Sequence, residues 1–173
     1  MKQTTPDRFR EEQGFRQWWI WLLIGFVVVL QWWGFVQQIV LGQPWGTKPA
    51  PDWLMVLLWL LIGIGLPVFF HRLRLIVTVT DNSVDIHFRP LTRRTIPIAD
   101  VTHVEARTYS PLREYGGWGI RGLGGSKAYN VSGNRGVELT LKDGEKVMIG
   151  SQRADDLSHA IAIAQGSEWF SRS

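Results

Sequence analysis

The sequence predicts an α+β membrane protein: a two-helix transmembrane hairpin followed by a small antiparallel β domain that ends in a helix. Nearly all the long apolar runs, and eight of the ten tryptophans, fall between Trp18 and Phe70. From position 71 onward short alternating runs replace them, with 14 Lys+Arg interspersed among 11 Asp+Glu. A last stretch, near 152–165, changes to helical spacing. The net charge of +4 averages over these regions and conceals the contrast.

Residues 1–17 read as a polar cytoplasmic leader carrying Lys2, Arg8, Arg10 and Arg16 among Asp7, Glu11 and Glu12. The first span, 18–41, has an apolar core from Trp18 to Leu30 and a more polar continuation with Gln31, Gln37 and Gln38. The second span, 53–70, is 18 consecutive uncharged residues, the lower limit for crossing about 30 Å of hydrocarbon as a helix. Trp18, Trp19 and Trp21, then Trp32 and Trp33, and Trp53 on the second span, fit aromatic belts at the headgroup level. Gln31 fits an interhelical hydrogen bond. Neither span holds an ionisable residue, which disfavours transport. Bulky Trp32, Trp33 and Phe35 follow the first apolar run in place of a small-residue cleavage site, so the run reads as a retained span. Four cations precede the first span and Arg72, Arg74 and Arg89 follow the second, whereas the Pro- and Gly-rich loop 42–52 holds only Lys48. That asymmetry places the chain in the inner membrane as a multi-pass protein with both termini cytoplasmic.

In the third region, 71–173, strands are expected at 75–80, 84–88, 94–98, 102–108, 118–121, 127–131, 136–141 and 146–149. Asp81-Asn82-Ser83 and Asp143-Gly144 supply turns between consecutive strands. The helix near 152–165 has Ser151 as its expected N-cap, Asp155 and Asp156 in its first turn, Leu157, Ala160, Ile161 and Ala164 on one face, and Gly166 as its stop. Seven or eight short antiparallel strands followed by one amphipathic helix describe a pleckstrin-homology-like (PH-like) barrel or sandwich with the helix plugging an open end.

The segments LGQPWG at 41–46, PLREYGGWGIR at 111–121, KAYNVSGNRGVEL at 127–139 and IGSQR at 149–153 together resemble an uncharacterised family of small prokaryotic membrane proteins with two N-terminal spans and a bacterial PH-like domain. The resemblance implies architecture and location, and names no catalyst.

The chain has no cysteine, which excludes disulfides, thiolate nucleophiles and cysteine-ligated metals. The glycine-rich stretch 116–125 lacks the GxxxxGK[ST] spacing and no helix pattern follows it, so it reads as turn and bulge glycine and not as a phosphate loop. His71, His87, His103 and His159 have no metal-ligand spacing. No serine sits in a GxSxG elbow, and Asn130-Val131-Ser132 matches a glycosylation sequon by chance. No cofactor or metal is expected. The interspersed charge provides no concentrated basic face for nucleic acid.

One group stands out by composition. Arg113, Tyr115, Trp118, Arg121, Lys127, Tyr129, Asn134 and Arg135 gather aromatics, cations and an amide around the loops at 110–136, a mixture suited to a binding surface. The competing reading makes Trp118 and Tyr129 core residues and leaves the cations solvated. The expected function is a membrane-tethered, non-catalytic binding or scaffold module that engages a protein partner, a second copy of itself, or anionic lipid headgroups, in addition to the lipid around its spans. The alternative is a membrane-bound enzyme acting on lipid or peptide through Asp100, His103, Glu105 or Glu114.

Overall fold

The change of pattern along the chain separates a helical unit, Phe15–Leu73, from a β-rich unit built from Met1–Gly14 and Arg74–Ser173. The computed structural model describes residues 7–123 and 126–166; Lys2, Gly124, Gly125 and the segment 167–173 lie outside these.

The helical unit holds α1 (Trp18–Val40) and α2 (Asp52–Arg72), of 23 and 21 residues, both long and apolar enough to cross a membrane. Each contains π-helical turns, at Val36–Val40 and Trp59–Gly65. Pro67 has no N–H for the carbonyl of Gly63 four residues before it, and Trp32 Nε1 donates to that carbonyl at 3.2 Å. Phe35 stacks on Trp59 with ring centroids 4.3 Å apart, and Trp32 meets Trp59 edge-on at 5.1 Å. Trp32 therefore meets the second helix with part of its ring, which stays 42% exposed. Gln31 Nε2 crosses to Met55 Sδ at 3.6 Å. The connecting loop contributes to packing as well: a Cβ on Gly34 would lie 2.6 Å from the ring of Trp45.

The β-rich unit contains two sheets. The first is an antiparallel meander of β1 (Phe9–Gly14), β2 (Arg74–Val79), β3 (Ser83–Arg89) and β4 (Thr92–Pro97). The second has the order β5 (Val101–Thr108), β8 (Arg135–Leu141), β9 (Lys146–Gly150), β7 (Ser126–Asn130) and β6 (Gly119–Leu123). Two short helices complete the unit, α3 (Pro111–Tyr115) and α4 (Ala154–Ala164). All eight expected strands are present, with ends displaced by one or two residues.

Four features depart from the expected fold. The sheets do not close into a barrel. The pair β7–β9 is parallel, and α3 occupies a stretch read as loop. A ninth strand, β1, lies in the segment read as leader and pairs along its whole length with β2, from Phe9↔Val79 to Gly14↔Arg74. The helical unit is thus an insertion between two paired strands of one sheet.

The polar inward face of β1 explains why it carries so little strand signal. Phe9, Glu11 and Gln13 are buried while Arg10 and Glu12 are exposed. Phe9 lies 5.0 Å under the guanidinium of Arg153. Glu11 accepts hydrogen bonds from Ser151 Oγ at 2.5 Å and from the Gln152 amide at 3.0 Å. Gln13 Nε2 donates to the Gly150 carbonyl at 2.9 Å. The segment Ile149–Arg153 is in effect a socket for β1. Ser151 does not cap α4, which begins at Ala154; its hydroxyl donates to Glu11 and accepts from the Arg153 amide at 3.0 Å.

The core draws Leu75, Val77, Val79, Val84, Ile86, Phe88 and Ile96 from the first sheet, Leu139, Val147 and Ile149 from the second, and Leu157 and Ile161 from α4. Each such side chain contributes about 1.5–3 kcal/mol by leaving water. Helix α4 packs against β1 and β2 of one sheet and β5 and β8 of the other. A forked ion pair from Arg94 on β4 to Glu145 in the β8–β9 turn, at 2.9 and 2.5 Å, joins the two sheets at a second place.

Candidate functional site

Strands β5 and β8 are antiparallel neighbours, with Thr108 opposite Arg135, yet 109–134 intervene between them. This excursion is closed at its neck by the Tyr109 amide donating to the Asn134 carbonyl at 2.8 Å. Pro111 starts α3 with φ already helical. Gly116 (φ 71) ends it, its amide and that of Gly117 returning to the carbonyls of Leu112 and Pro111. Glu114 accepts from the Ser110 amide at 2.7 Å, closing the first turn.

A small second core holds the excursion to the sheet. Tyr109, Tyr115, Ala128 and Met148 are buried together, the two tyrosines edge to face at 5.9 Å. Asn130, fully buried, donates to Tyr109 Oη at 3.0 Å and accepts from the Gly119 amide at 2.9 Å. A Cβ on Gly150 would come within 2.8 Å of Asn130 Cβ, so glycine is needed for this approach. Burial pushes the Tyr109 phenol up, keeping it neutral.

Charged side chains beside this core neutralise one another. Arg107 donates to Glu138 (2.6 and 2.9 Å) and to Glu114 (2.9 Å), and Lys146 donates to Glu138 at 3.0 Å. Burial would raise the Glu138 pKa, but the bonds from Lys146 and Arg107 outweigh it and hold the carboxyl below its ordinary range. The Ser110 amide, then Arg107, does the same for Glu114.

The eight residues singled out in the sequence divide into separate groups. Tyr115 and Tyr129 are buried. Lys127 reaches Glu145 at 3.5 Å, toward the other end of its strand. Arg113 is exposed on α3. Trp118, Asn134 and Arg135 meet around the β7–β8 turn: Trp118 Nε1 donates to Gly133 at 3.1 Å, and Arg135 pairs with Asp155 of α4 at 3.0 Å. Arg121 extends from β6, its guanidinium next to Gly117. Among the acid–base candidates, His103 and Glu105 are exposed neighbours 3.9 Å apart, Asp100 is exposed in a short 3₁₀ turn, and Glu114 is held by Arg107. A shallow groove lined by Asp81, Asn82, Ile98, Ala99, Val101, Ala164 and Gln165 lies elsewhere on the unit.

What the residue list missed is a backbone feature. Strand β6 pairs only with β7, so one edge carries no partner strand among the described residues. The other sheet edges are protected by the usual means. Strand β1 presents Arg10 and Glu12, β4 has Arg93, Arg94 and Pro97, and β5 has His103, Glu105 and a register shift between Val101 and His103. Strand β6 offers Gly119, Ile120, Arg121 and Gly122, with one charge, no proline, and Ile120 38% exposed.

These features define an α+β protein whose β-rich unit is interrupted by two apolar helices and has, at β6, a sheet edge with no partner strand among the described residues. The chain belongs to the family of unknown function DUF6141, whose model matches residues 2–168. No curated protein and no solved structure matches it.

Proposed function

We propose that the chain is a membrane-anchored, non-catalytic binding module that takes an extended segment of a protein partner along the open edge of β6. Its two spans hold it in the cell membrane with both termini on the cytoplasmic side. The observation that carries this reading is the contrast among sheet edges: the other three combine charges with proline, a register shift or a second charge, whereas β6 has the single charge of Arg121 and neither proline nor register shift. An added strand would gain main-chain hydrogen bonds from the β6 edge, while Ile120, Arg121 and Trp118 would select an apolar residue and a carboxylate on the partner.

The fold supports the same reading. Seven strands, β1–β5 with β8 and β9, followed by α4, fit a PH-like framework, and 109–134 then form an addition laid on the β9 edge, which accounts for the parallel β7–β9 pair. Two of the long motifs shared with the resembled family, at 111–121 and 127–139, fall largely in this addition. The carboxylates with displaced pKa values, Asp85, Glu114, Glu138 and Glu145, are all lowered by hydrogen bonds and cations, whereas a general acid at neutral pH requires a raised one.

The test places a photo-crosslinking residue at position 120 of the full-length chain in native membranes. One reproducible partner segment, crosslinked in an extended register and lost in an Arg121→Glu, Ile120→Lys chain that unfolds at the same temperature, is the expected result. A crosslink pattern unchanged in that folded variant, or identical from position 112 on α3, overturns the reading.

A further inference from the structure

The register of the first sheet brings together residues far apart in sequence. Gly14 lies opposite Arg74, and Arg74 opposite Arg89. Arg89 is followed directly by the Pro90–Leu91 turn, closed by the Leu91 amide donating to the Phe88 carbonyl at 2.8 Å. The chain leaves this same end of the sheet twice for the apolar helices, after Gly14 and before Arg74. Only residues 15–17 precede α1 and only Leu73 follows α2, and extended chain spans at most about 3.6 Å per residue.

The end so tethered has a particular chemistry. Leu91 is 53% exposed at the tip of the turn. Arg89 and Arg93 are exposed on either side of it, and Arg74 is partly exposed. Two carboxylates answer these cations, Glu12 at 4.0 Å from Arg74, a pair open to water, and the half-buried Asp85, also held by Ser83 and Thr95, at 3.4 Å from the exposed Arg93. Arg16 and Arg72 add positive charge along the same two connections. The opposite end is different in kind: its turn is Asp81-Asn82-Ser83, with Asp81 paired to Arg8.

We propose that the Pro90–Leu91 end of the sheet is a lipid-contacting surface. Leu91 enters the boundary between headgroups and acyl chains, and Arg89 and Arg93 meet the phosphates of anionic lipid. An apolar tip flanked by arginines gains from both parts of that boundary, because the long side chains cover apolar surface while their charges remain at the phosphates. The proposal rests on the reading that α1 and α2 span the membrane.

The absence of cysteine makes the test direct. Single cysteines at Leu91, Asn82 and Phe26 are spin-labelled in the full-length chain, reconstituted in phosphatidylcholine vesicles with and without phosphatidylglycerol, and probed by collision with oxygen and with a water-soluble nickel chelate. The expected result is that the label at 91 meets the chelate several-fold less often than the label at 82, and that Arg89→Glu reduces this difference in the anionic vesicles. A label at 91 as accessible to the chelate as that at 82, while the label at 26 is lipid-immersed, overturns the proposal alone. A label at 26 that is itself open to the chelate overturns the spanning reading on which it rests.

Discussion

The β framework is interrupted twice between strands that pair with each other, and the two interruptions are opposite in character. Between β1 and β2 the chain inserts 15–73, apolar helices whose side chains are largely exposed, Trp18, Leu22, Phe26 and Val29 among them. Between β5 and β8 it inserts 109–134, a polar, glycine-rich segment laid back onto the sheet over a core of Tyr109, Tyr115, Ala128 and Met148. The first leaves the domain's sheets as they were. The second extends one of them by two strands and creates its open edge. An insertion at a sheet end can therefore relocate a domain or re-equip it, depending on whether its apolar surface faces outward or folds back.

The largest effect separating the two comes from excising the first. Because Gly14 and Arg74 are paired in register, replacing 15–73 with Asn-Gly closes β1 and β2 into an ordinary two-residue hairpin. The product is expected in the soluble fraction without detergent, with a β-rich circular dichroism spectrum and cooperative unfolding. An insoluble or unfolded product breaks the comparison, since the helices would then be part of what holds the sheets together.

A smaller effect sharpens the second interruption. Asn130→Ala leaves the Gly119 amide without its partner and removes a donor from Tyr109, at a cost of about 1–3 kcal/mol. Hydrogen exchange is expected to accelerate in β6 and β7 while β2, β3 and α4 keep their protection. Uniform acceleration throughout the β-rich unit would show that the excursion is inseparable from the framework.

The smallest effect lies at the link between the sheets. Glu145 is held below its ordinary value of 4.5, chiefly by its hydrogen bonds from Arg94. A depressed folded-state pKa contributes stability that is present above the ordinary value and lost as pH falls through the depressed one. Glu145→Gln should cost less than about 1 kcal/mol at neutral pH, as this pair is partly open to solvent, and should flatten the decline in melting temperature below about pH 4.5. An acid limb as steep in the variant as in the unaltered chain would assign that decline to Glu138 and Asp85 instead.

The parts legible in the sequence were those written in hydrophobic pattern. Trp53 to Phe70 announces itself by eighteen uncharged residues, and Val84, Ile86 and Phe88 by strict alternation. The missed parts are those in which polar groups do the packing. Strand β1 presents Glu11 and Gln13 inward, so it has no apolar period, and its socket at 149–153 lies some 140 positions away. The bond from the Trp32 indole to the carbonyl of Gly63 likewise joins residues 31 positions apart. For the eight site residues, composition alone did not give the arrangement: which face of β7 Tyr129 takes, and what Lys127 reaches, depends on a register that no local pattern specifies. The open edge of β6 follows from what fails to pair with it, and becomes visible only once the sheet order is known.

The seating of β1 also bears on how the chain is made. Strand β1 leaves the ribosome before both apolar helices, its partner β2 only after them, and its socket later still. Completion of the β-rich unit therefore waits for the hairpin. A chain that placed only one of its helices across a membrane would leave β1 and β2 on opposite sides, unable to pair, with Glu11 exposed and Ser151 and Gln152 unanswered. On the proposal that both helices span, folding and topology are thereby checked by the same contact.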